Sequence, residues 1–221
     1  MGKGISINTS VIIQDEFRTI IKSGNYEKII LDIMNSSKKI FPNEYIHQEN
    51  QSHGECDFID KNTEEKYDVK LPLYKKQGKL LGSHNFDYEA WFKSMMDEVA
   101  EFSNVINNRG NYIAEELILY KVIKDRLATI KEDENLILFF PFPVVTDDPN
   151  SIILRFASDI LTFVFDALKN NGEIKSRKIY AIYPCMSNCL TIRFLNERKR
   201  EYISNQPLKK YINYDISLEI G

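Results

Sequence analysis

Two aspartates and a lysine in one short segment are the residues whose types and spacing could do chemistry. The segment Gly54–Leu71 reads GECDFIDKNTEEKYDVKL. A symmetrical turn at Asn62-Thr63 would set Asp57 directly opposite Asp68 in an antiparallel hairpin, with their Cβ atoms about 4.5–5.5 Å apart. Lys70 would share that face, because strand side chains alternate. A register shift of one residue would instead move one acid to the other face of the hairpin.

Two carboxylates this close need a positive partner. At about 5 Å they repel by roughly 3 kcal/mol for an effective dielectric constant of about 20. Lys70 offsets part of this repulsion, and a divalent cation offsets more. Hard oxygen ligands with added waters suit Mg²⁺, with Mn²⁺ as a possible substitute. Such a metal grips a phosphate oxygen and lowers the pKa of bound water, while the lysine stabilises transition-state charge. The pattern therefore predicts metal-dependent phosphodiester hydrolysis.

The spacing Asp57-x10-Asp68-x-Lys70, within CDFIDKNTEEKYDVK, resembles the PD-(D/E)xK nuclease superfamily. Cys56 stands where that family often has proline, a position that holds no ligand. The resemblance implies a restriction-endonuclease-like core and a metal-dependent endonuclease that acts on nucleic acid, with DNA as the expected substrate. Restriction, other genome defence and DNA repair are the settings it suggests. Cutting both strands of a duplex would favour a homodimer.

The resemblance also implies an acidic ligand on the first helix, for which Glu27 is the candidate. Glu27 lies at the border of the apolar face formed by Ile30 and Met34, so it could reach a catalytic metal site beside the sheet. The alternative interpretation is a solvated glutamate that the helix dipole favours in the first turn. Glu44 and Glu49 are the other candidates for the third acid.

Three lysines follow the hairpin closely and are candidates for phosphate contacts. Lys75, Lys76 and Lys79 lie in the segment KKQGKLLGS, which we predict to be a loop over 75–83. Cations beside the site would position phosphates without reading sequence. Two further basic runs, at 175–178 and 198–200, allow the same interpretation. For each of them the alternative is a solvated loop or helix end.

The elements that must position these residues follow an α/β order. The sequence predicts a polar start over 1–24 with a short helical candidate near 15–22. It then predicts helices at 26–41, 86–105, 114–131 and 151–168, and strands at 44–48, 55–60, 65–73, 136–140, 178–183, 190–195 and 211–220. This order predicts a single domain over 1–221. It has a mixed-sheet, restriction-endonuclease-like core flanked by helices at about 25–142, and an elaboration of strands and helix at about 143–221.

Composition restricts the class of protein further. The 221 residues are 43% hydrophobic and 28% charged, with a net charge of −3 and only three cysteines. These values predict a cytoplasmic globular protein without a disulfide framework or membrane span. Two other functions stay open: a catalytically inactive nucleic-acid-binding or scaffold domain on the same fold, and an unrelated α/β interaction protein.

Overall fold

The computed structural model describes residues 5–13, 26–48, 55–81, 88–105, 111–140, 152–175, 177–186, 189–204, 207 and 212–220. Within these ranges the chain is α/β, as predicted. The helical candidate near 15–22 lies outside them. Among the described helices, none has both the length and the apolar character needed to cross a membrane.

In chain order the elements are β1 (Ile5–Ile13), α1 (Tyr26–Ser36), β2 (Tyr45–His47), β3 (Phe58–Asp60), β4 (Lys66–Lys70), α2 (Lys75–Leu81), α3 (Tyr88–Val105), α4 (Asn111–Leu127), β5 (Glu134–Phe139), α5 (Ile152–Asn170), β6 (Ile179–Met186), β7 (Cys189–Phe194), β8 (Lys199–Ser204) and β9 (Ile212–Ile220).

A seven-stranded mixed sheet carries the core. Its strands lie side by side in chain order from β2 to β8. The pairs β4–β5 and β5–β6 are parallel, and the other neighbours are antiparallel. Strand β5 is buried throughout, which confirms the fully buried strand expected from its apolar run.

Helices pack on both faces of this sheet. Strand β5 shows the alternation: Ile137 packs in the apolar cluster that includes α1, and Leu138 packs in the cluster that includes α3, α4 and α5. On the neighbouring strand β4, Val69 also belongs to the α1 cluster. Asp68 and Lys70 flank Val69 and therefore lie on the opposite face, the one covered by α3 to α5.

Helix α1 is shorter than predicted, since it ends at Ser36 and not near Phe41. The N–H of Ser37 donates to the carbonyls of Ile33 and Met34, each at 3.1 Å. After this turn the backbone N–H groups of residues 38, 39 and 40 donate to the Glu201 carboxylate from β8, at 3.1–3.2 Å. The hydroxyl of Ser37 also donates to Glu201. A carboxylate from a distant strand thus takes up donors that a longer helix would have satisfied internally.

The predicted loop at 75–83 is wrong for its first seven residues, which form helix α2. The Oε1 atom of Gln77 accepts a hydrogen bond from the Tyr74 N–H at 3.1 Å. The indole Nε1 of Trp91 donates to the Gln77 carbonyl at 3.0 Å. Both Gln77 and Trp91 are fully buried. The helix therefore depends on its contact with α3, which outweighs the loop-like composition of three lysines and a glycine.

Two strands were not expected from the sequence. Strand β1 pairs antiparallel with β9, with Ile5 opposite Ile220, in a separate two-stranded sheet. The strand predicted at 211–220 is therefore confirmed, whereas no strand or helix was predicted at 5–13, where β1 lies. Strand β8 begins inside the basic run at 198–200 and pairs with β7 along the seven-stranded sheet.

Candidate active site

The hairpin of β3 and β4 has the predicted register. Phe58 lies opposite Tyr67, and Ile59 lies opposite Lys66. Asp57, however, lies one residue before β3, and its N–H donates at 2.9 Å to the carbonyl of Tyr67, the residue that already faces Phe58. Two residues that oppose one are the arrangement of a β-bulge, which re-aims the side chain of the bulged residue.

The Asp57 and Asp68 side chains meet at this end of the hairpin. The carboxyl groups are hydrogen-bonded to each other, and both side chains are buried, at 7% and 6% exposure. The Oδ2 atom of Asp57 also accepts the Val69 N–H at 2.6 Å. The Nζ atom of Lys70 lies 2.6 Å from Asp68 Oδ1. The structure thus brings Asp57, Asp68 and Lys70 together on neighbouring strands.

The electrostatics of this acid pair favour a bound proton. The pKa of Asp68 is raised to about 7, first by burial and then by its hydrogen bond to Asp57, while the ion pair with Lys70 acts against both. Burial also raises the pKa of Asp57 above its usual value, against its hydrogen bonds from Asp68 and from the Val69 N–H. One lysine therefore does not balance two buried carboxylates.

The oxygens of this acid pair fit a divalent cation. Mg²⁺ is usually held by one or two carboxylates together with substrate phosphates, and it keeps several of its waters. The proton that the pair favours marks the charge deficit that such a cation would fill. Asp57 and Asp68 are the residues that would hold it.

Glu27 lies near the acid pair but has another partner. Its Oε2 atom is 2.9 Å from Nε2 of His47, and both side chains are partly buried. Its negative charge contributes to the raised pKa of Asp57. Among the residues that the structure describes, no three His, Cys, Asp or Glu side chains form a group able to hold a metal. The structure thus does not assemble Glu27, Asp57 and Asp68 into a three-ligand set.

The other candidates for the third acid lie elsewhere. Glu44 forms an ion pair with Lys61, whose N–H donates to the Glu44 carbonyl beyond the far end of β3. Glu49 is outside the described residues.

His47 and Tyr26 are neighbours of the site that sequence reasoning missed. His47 lies opposite Phe58 in the β2–β3 pair, and the next residue, Gln48, donates its N–H to the Asp57 carbonyl at 3.0 Å. The pKa of the Tyr26 hydroxyl is raised by burial and then by the negative charges of Asp57, Glu27 and Asp68. Only their positions in the sequence could have identified these two residues: Tyr26 begins the first helix, and His47 ends the strand that lies next to Asp57.

The three predicted phosphate-binding lysines differ in their surroundings. Lys76 forms an ion pair with Glu101 on α3, and its N–H donates to Glu98 at 2.9 Å. Lys75 and Lys79 are exposed on α2. Of the three predicted lysines, Lys75 and Lys79 form no ion pair within the described residues.

The other basic runs take part in structural contacts. The buried guanidinium of Arg177 donates to the carbonyls of Leu127 and Ile130, at 2.8 and 3.1 Å. Lys178 pairs with Glu65, and Arg198 pairs with Asp166 on α5.

Comparisons with models of protein families, with curated proteins and with solved structures find no match to this chain. The function must therefore be argued from the site itself.

Proposed function

We propose that the chain is a Mg²⁺-dependent nuclease of the PD-(D/E)xK superfamily that hydrolyses phosphodiester bonds in DNA, with Mn²⁺ able to replace Mg²⁺. The observation that most directly supports this proposal is the buried, mutually hydrogen-bonded pair of Asp57 and Asp68, with the Lys70 ammonium 2.6 Å from Asp68. The element order supports a restriction-endonuclease-like core: helix α1, three antiparallel strands, helices, and then the parallel strand β5.

Each residue has a distinct part in this proposal. Bound Mg²⁺ would supply a Lewis acid for the phosphate and lower the pKa of a water molecule. Asp57 and Asp68 would hold the cation, and the Val69 N–H keeps the Asp57 carboxyl in a fixed orientation. Lys70 has no lone pair for a metal while protonated, so it acts on the water or on the developing phosphate charge. The water oxygen attacks phosphorus, and the bond to one ester oxygen breaks as that oxygen takes a proton.

Glu27 and His47 form a second pair next to this centre. In the proposed function Glu27 remains a catalytic and metal-binding candidate, which requires it to give up its contact with His47. A cytoplasmic location, a role in restriction or other genome defence, and a homodimer belong to the same proposal.

The test is cleavage of plasmid, linear DNA and RNA in the presence of Mg²⁺, Mn²⁺ or EDTA. We expect cleavage of DNA that EDTA abolishes. Lys70→Ala should lower the single-turnover rate by about 10²–10³-fold, the effect of removing one preorganised electrostatic group.

Lys66→Ala is the matched control for Lys70→Ala. Lys66 lies on the same strand and face, but at the other end of β4, where it pairs with Asp133 at 2.9 Å. It should cleave like the wild type. If Lys70→Ala also cleaves at the wild-type rate, the catalytic assignment is wrong. If wild-type protein binds DNA without cutting it, the chain is a catalytically inactive nucleic-acid-binding domain.

A further inference from the structure

A cavity of about 580 Å³ opens between α2, α3 and α4. Its apolar lining includes Leu73, Phe102, Ile118 and Val122. Leu73 is three residues beyond Lys70, a distance that the chain spans in at most about 11 Å. The cavity volume falls in the range of about 300–1,000 Å³ that small organic ligands occupy.

Three cationic side chains line the same cavity: Lys75, Lys121 and Arg126. None of them forms an ion pair within the part of the chain that the structure describes. A group bound in the cavity would therefore meet cations whose charge is not already taken up by a carboxylate.

The acidic residues of the lining are mostly engaged. Glu101 pairs with the Lys76 ammonium, and Glu98 accepts the Lys76 N–H at 2.9 Å. Glu98 and Asp125 are the two lining carboxylates that form no ion pair within the described ranges. The three cations without an ion pair outnumber these two, so the cavity favours an anion that also carries an apolar or aromatic body.

The sheet places this cavity on the same side as the lysine of the acid pair. Asp68 and Lys70 lie on the sheet face that α4 covers, and α4 carries Lys121 and Arg126. A ligand bound in the cavity therefore lies on the same side of the sheet as Asp68 and Lys70.

We propose that this cavity binds one unpaired nucleotide of the DNA substrate, with its base against Phe102 and its phosphate on Lys121 and Arg126. The proposal rests on the proposed nuclease function, whose substrate it makes more specific. A base can enter a concave cavity only when it leaves the duplex stack, so single-stranded DNA and frayed ends should bind better than blunt duplex. Lys75 on the opposite rim would contact the neighbouring phosphate.

The test is binding of a labelled single-stranded DNA decamer, measured by fluorescence anisotropy in EDTA so that no strand is cut. The double variant Lys121→Ala/Arg126→Ala should bind at least about tenfold more weakly, because it can no longer donate charge-assisted hydrogen bonds to phosphate. Its salt dependence should also fall, by about 0.7 in the log–log slope for each phosphate that the variant leaves without a cation.

Phe102→Leu separates base recognition from charge. Leucine keeps most of the packing against the core but removes the aromatic face, so binding should weaken by about fivefold or more with an unchanged salt slope. Lys93→Ala is the control, since Lys93 is exposed on the same helix and is not part of the cavity lining. Thermal unfolding of every variant checks that the fold is kept.

Four outcomes would overturn the proposal. The first two concern variants: Lys121→Ala/Arg126→Ala binds the decamer as well as the wild type, or Lys93→Ala loses as much binding as the double variant. The other two concern ligands: the protein binds blunt duplex as tightly as single-stranded DNA, or inorganic phosphate competes as well as a deoxynucleoside monophosphate. If the wild type cleaves DNA while the cavity variants bind and cleave normally, the cavity proposal fails and the nuclease proposal stands. If the cavity binds the decamer as expected but no nucleic acid is cleaved with Mg²⁺ or Mn²⁺, only the nuclease proposal fails.

Discussion

The short strand β3 has a buried aspartate at each of its ends, and the two have opposite chemistry. Asp60 ends the strand at 2% exposure, and Asp57 precedes it at 7%. Hydrogen bonds reach Asp60 from the Asn43 amide at 2.7 Å and from the N–H groups of Asn62 and Thr63 at 2.8 and 3.3 Å. Burial acts to raise the pKa of Asp60, but these donors outweigh it and hold the pKa below its ordinary value.

Solvent reaches both Asp57 and Asp60 little, but Asp57 lies deeper in the protein and its main side-chain neighbour is another acid. Asp68 shares a hydrogen bond with it, and both carboxyls have raised pKa values. The difference teaches that a low exposed fraction alone does not mark a functional carboxylate. The nature of the hydrogen-bond partners does: Asp60 has donors suited to an anion, whereas the Asp57–Asp68 pair requires a proton or another cation.

The rate of DNA cleavage should show the largest difference between a variant of the Asp57–Asp68 pair and a variant of Asp60. Asp68→Asn removes an ionised ligand and should lower the single-turnover rate by about 10³-fold. Asp60→Asn should keep a rate close to wild type at a temperature where it is fully folded. Comparable losses in both folded variants would break the distinction between the two regions.

Stability should respond in the opposite order. Asp60→Ala leaves the Asn62 and Thr63 N–H groups without their acceptor, so the free energy of unfolding should fall by about 2–4 kcal/mol. Asp57→Asn should leave that free energy unchanged or slightly higher without metal, because it relieves acid–acid repulsion. Urea unfolding in EDTA measures both. A decrease in Asp57→Asn as large as in Asp60→Ala would assign both aspartates a structural role.

The pH dependence of stability should have opposite signs in the two regions. Asp68 has a folded-state pKa of about 7, above the unfolded value of about 3.9, so its contribution is complete below pH 4 and is lost as pH rises through 7. Wild-type protein in EDTA should lose about 3–4 kcal/mol over this window relative to Asp68→Asn. Asp60 has a lowered pKa, so its contribution is present above pH 4 and is lost on further acidification. Urea titrations from pH 3 to 8 test both signs, and parallel curves for wild type and Asp68→Asn would contradict the assignment.

Bound metal should stabilise the protein only when both Asp57 and Asp68 are present. At a concentration about 100 times its dissociation constant, Mg²⁺ or Mn²⁺ should raise the free energy of unfolding of the wild type by about 2.7 kcal/mol, with little effect on Asp57→Asn and Asp68→Asn. Asp60→Asn should respond like the wild type. Calorimetry that finds the same metal affinity in all four proteins would remove the metal site from the proposal.

The smallest effect should be on DNA binding, and it should come from the exposed lysines of α2. Lys75→Ala/Lys79→Ala should weaken duplex DNA binding by about two- to fivefold and reduce the salt slope by about 0.9 for each phosphate that is no longer neutralised. Lys76→Ala should change binding less, because its ammonium already pairs with Glu101. Titrations at several salt concentrations measure this, and a dominant effect of Lys76→Ala would show that its ion pair opens when DNA binds.

Local sequence was sufficient for the hairpin and the buried strand. The alternation of apolar residues around Asp68 and the position of the turn determined the pairing of Phe58 with Tyr67. The bulge at Asp57 was not predictable, because it depends on which backbone groups find partners at the end of the strand. It nevertheless brings together the carboxyls that the simple register was expected to align.

Contacts between distant residues account for what the sequence did not predict. Helix α2 depends on Trp91, 14 residues from Gln77, and Glu27 meets His47 across 20 residues. Strand β1 finds its partner at the other end of the chain. The alternation of Ile5, Ile7, Thr9 and Val11 with polar residues is a strand signal that the sequence prediction did not use. Local propensity cannot report such contacts, since they exist only once the tertiary structure has formed.

The Glu201 carboxylate at the end of α1 has a consequence for the order of folding. Strands β2 to β8 follow chain order, so each can add to its predecessor as a growing chain leaves the ribosome. The Glu201 contact with Ser37 is different, because it joins residues 164 positions apart. The turn after α1 can therefore form its final hydrogen bonds only after β8 has been synthesised and added to the sheet. A nascent chain that ends before residue 201 would therefore lack the hydrogen bonds that hold the turn after α1, although its earlier strands could already pair.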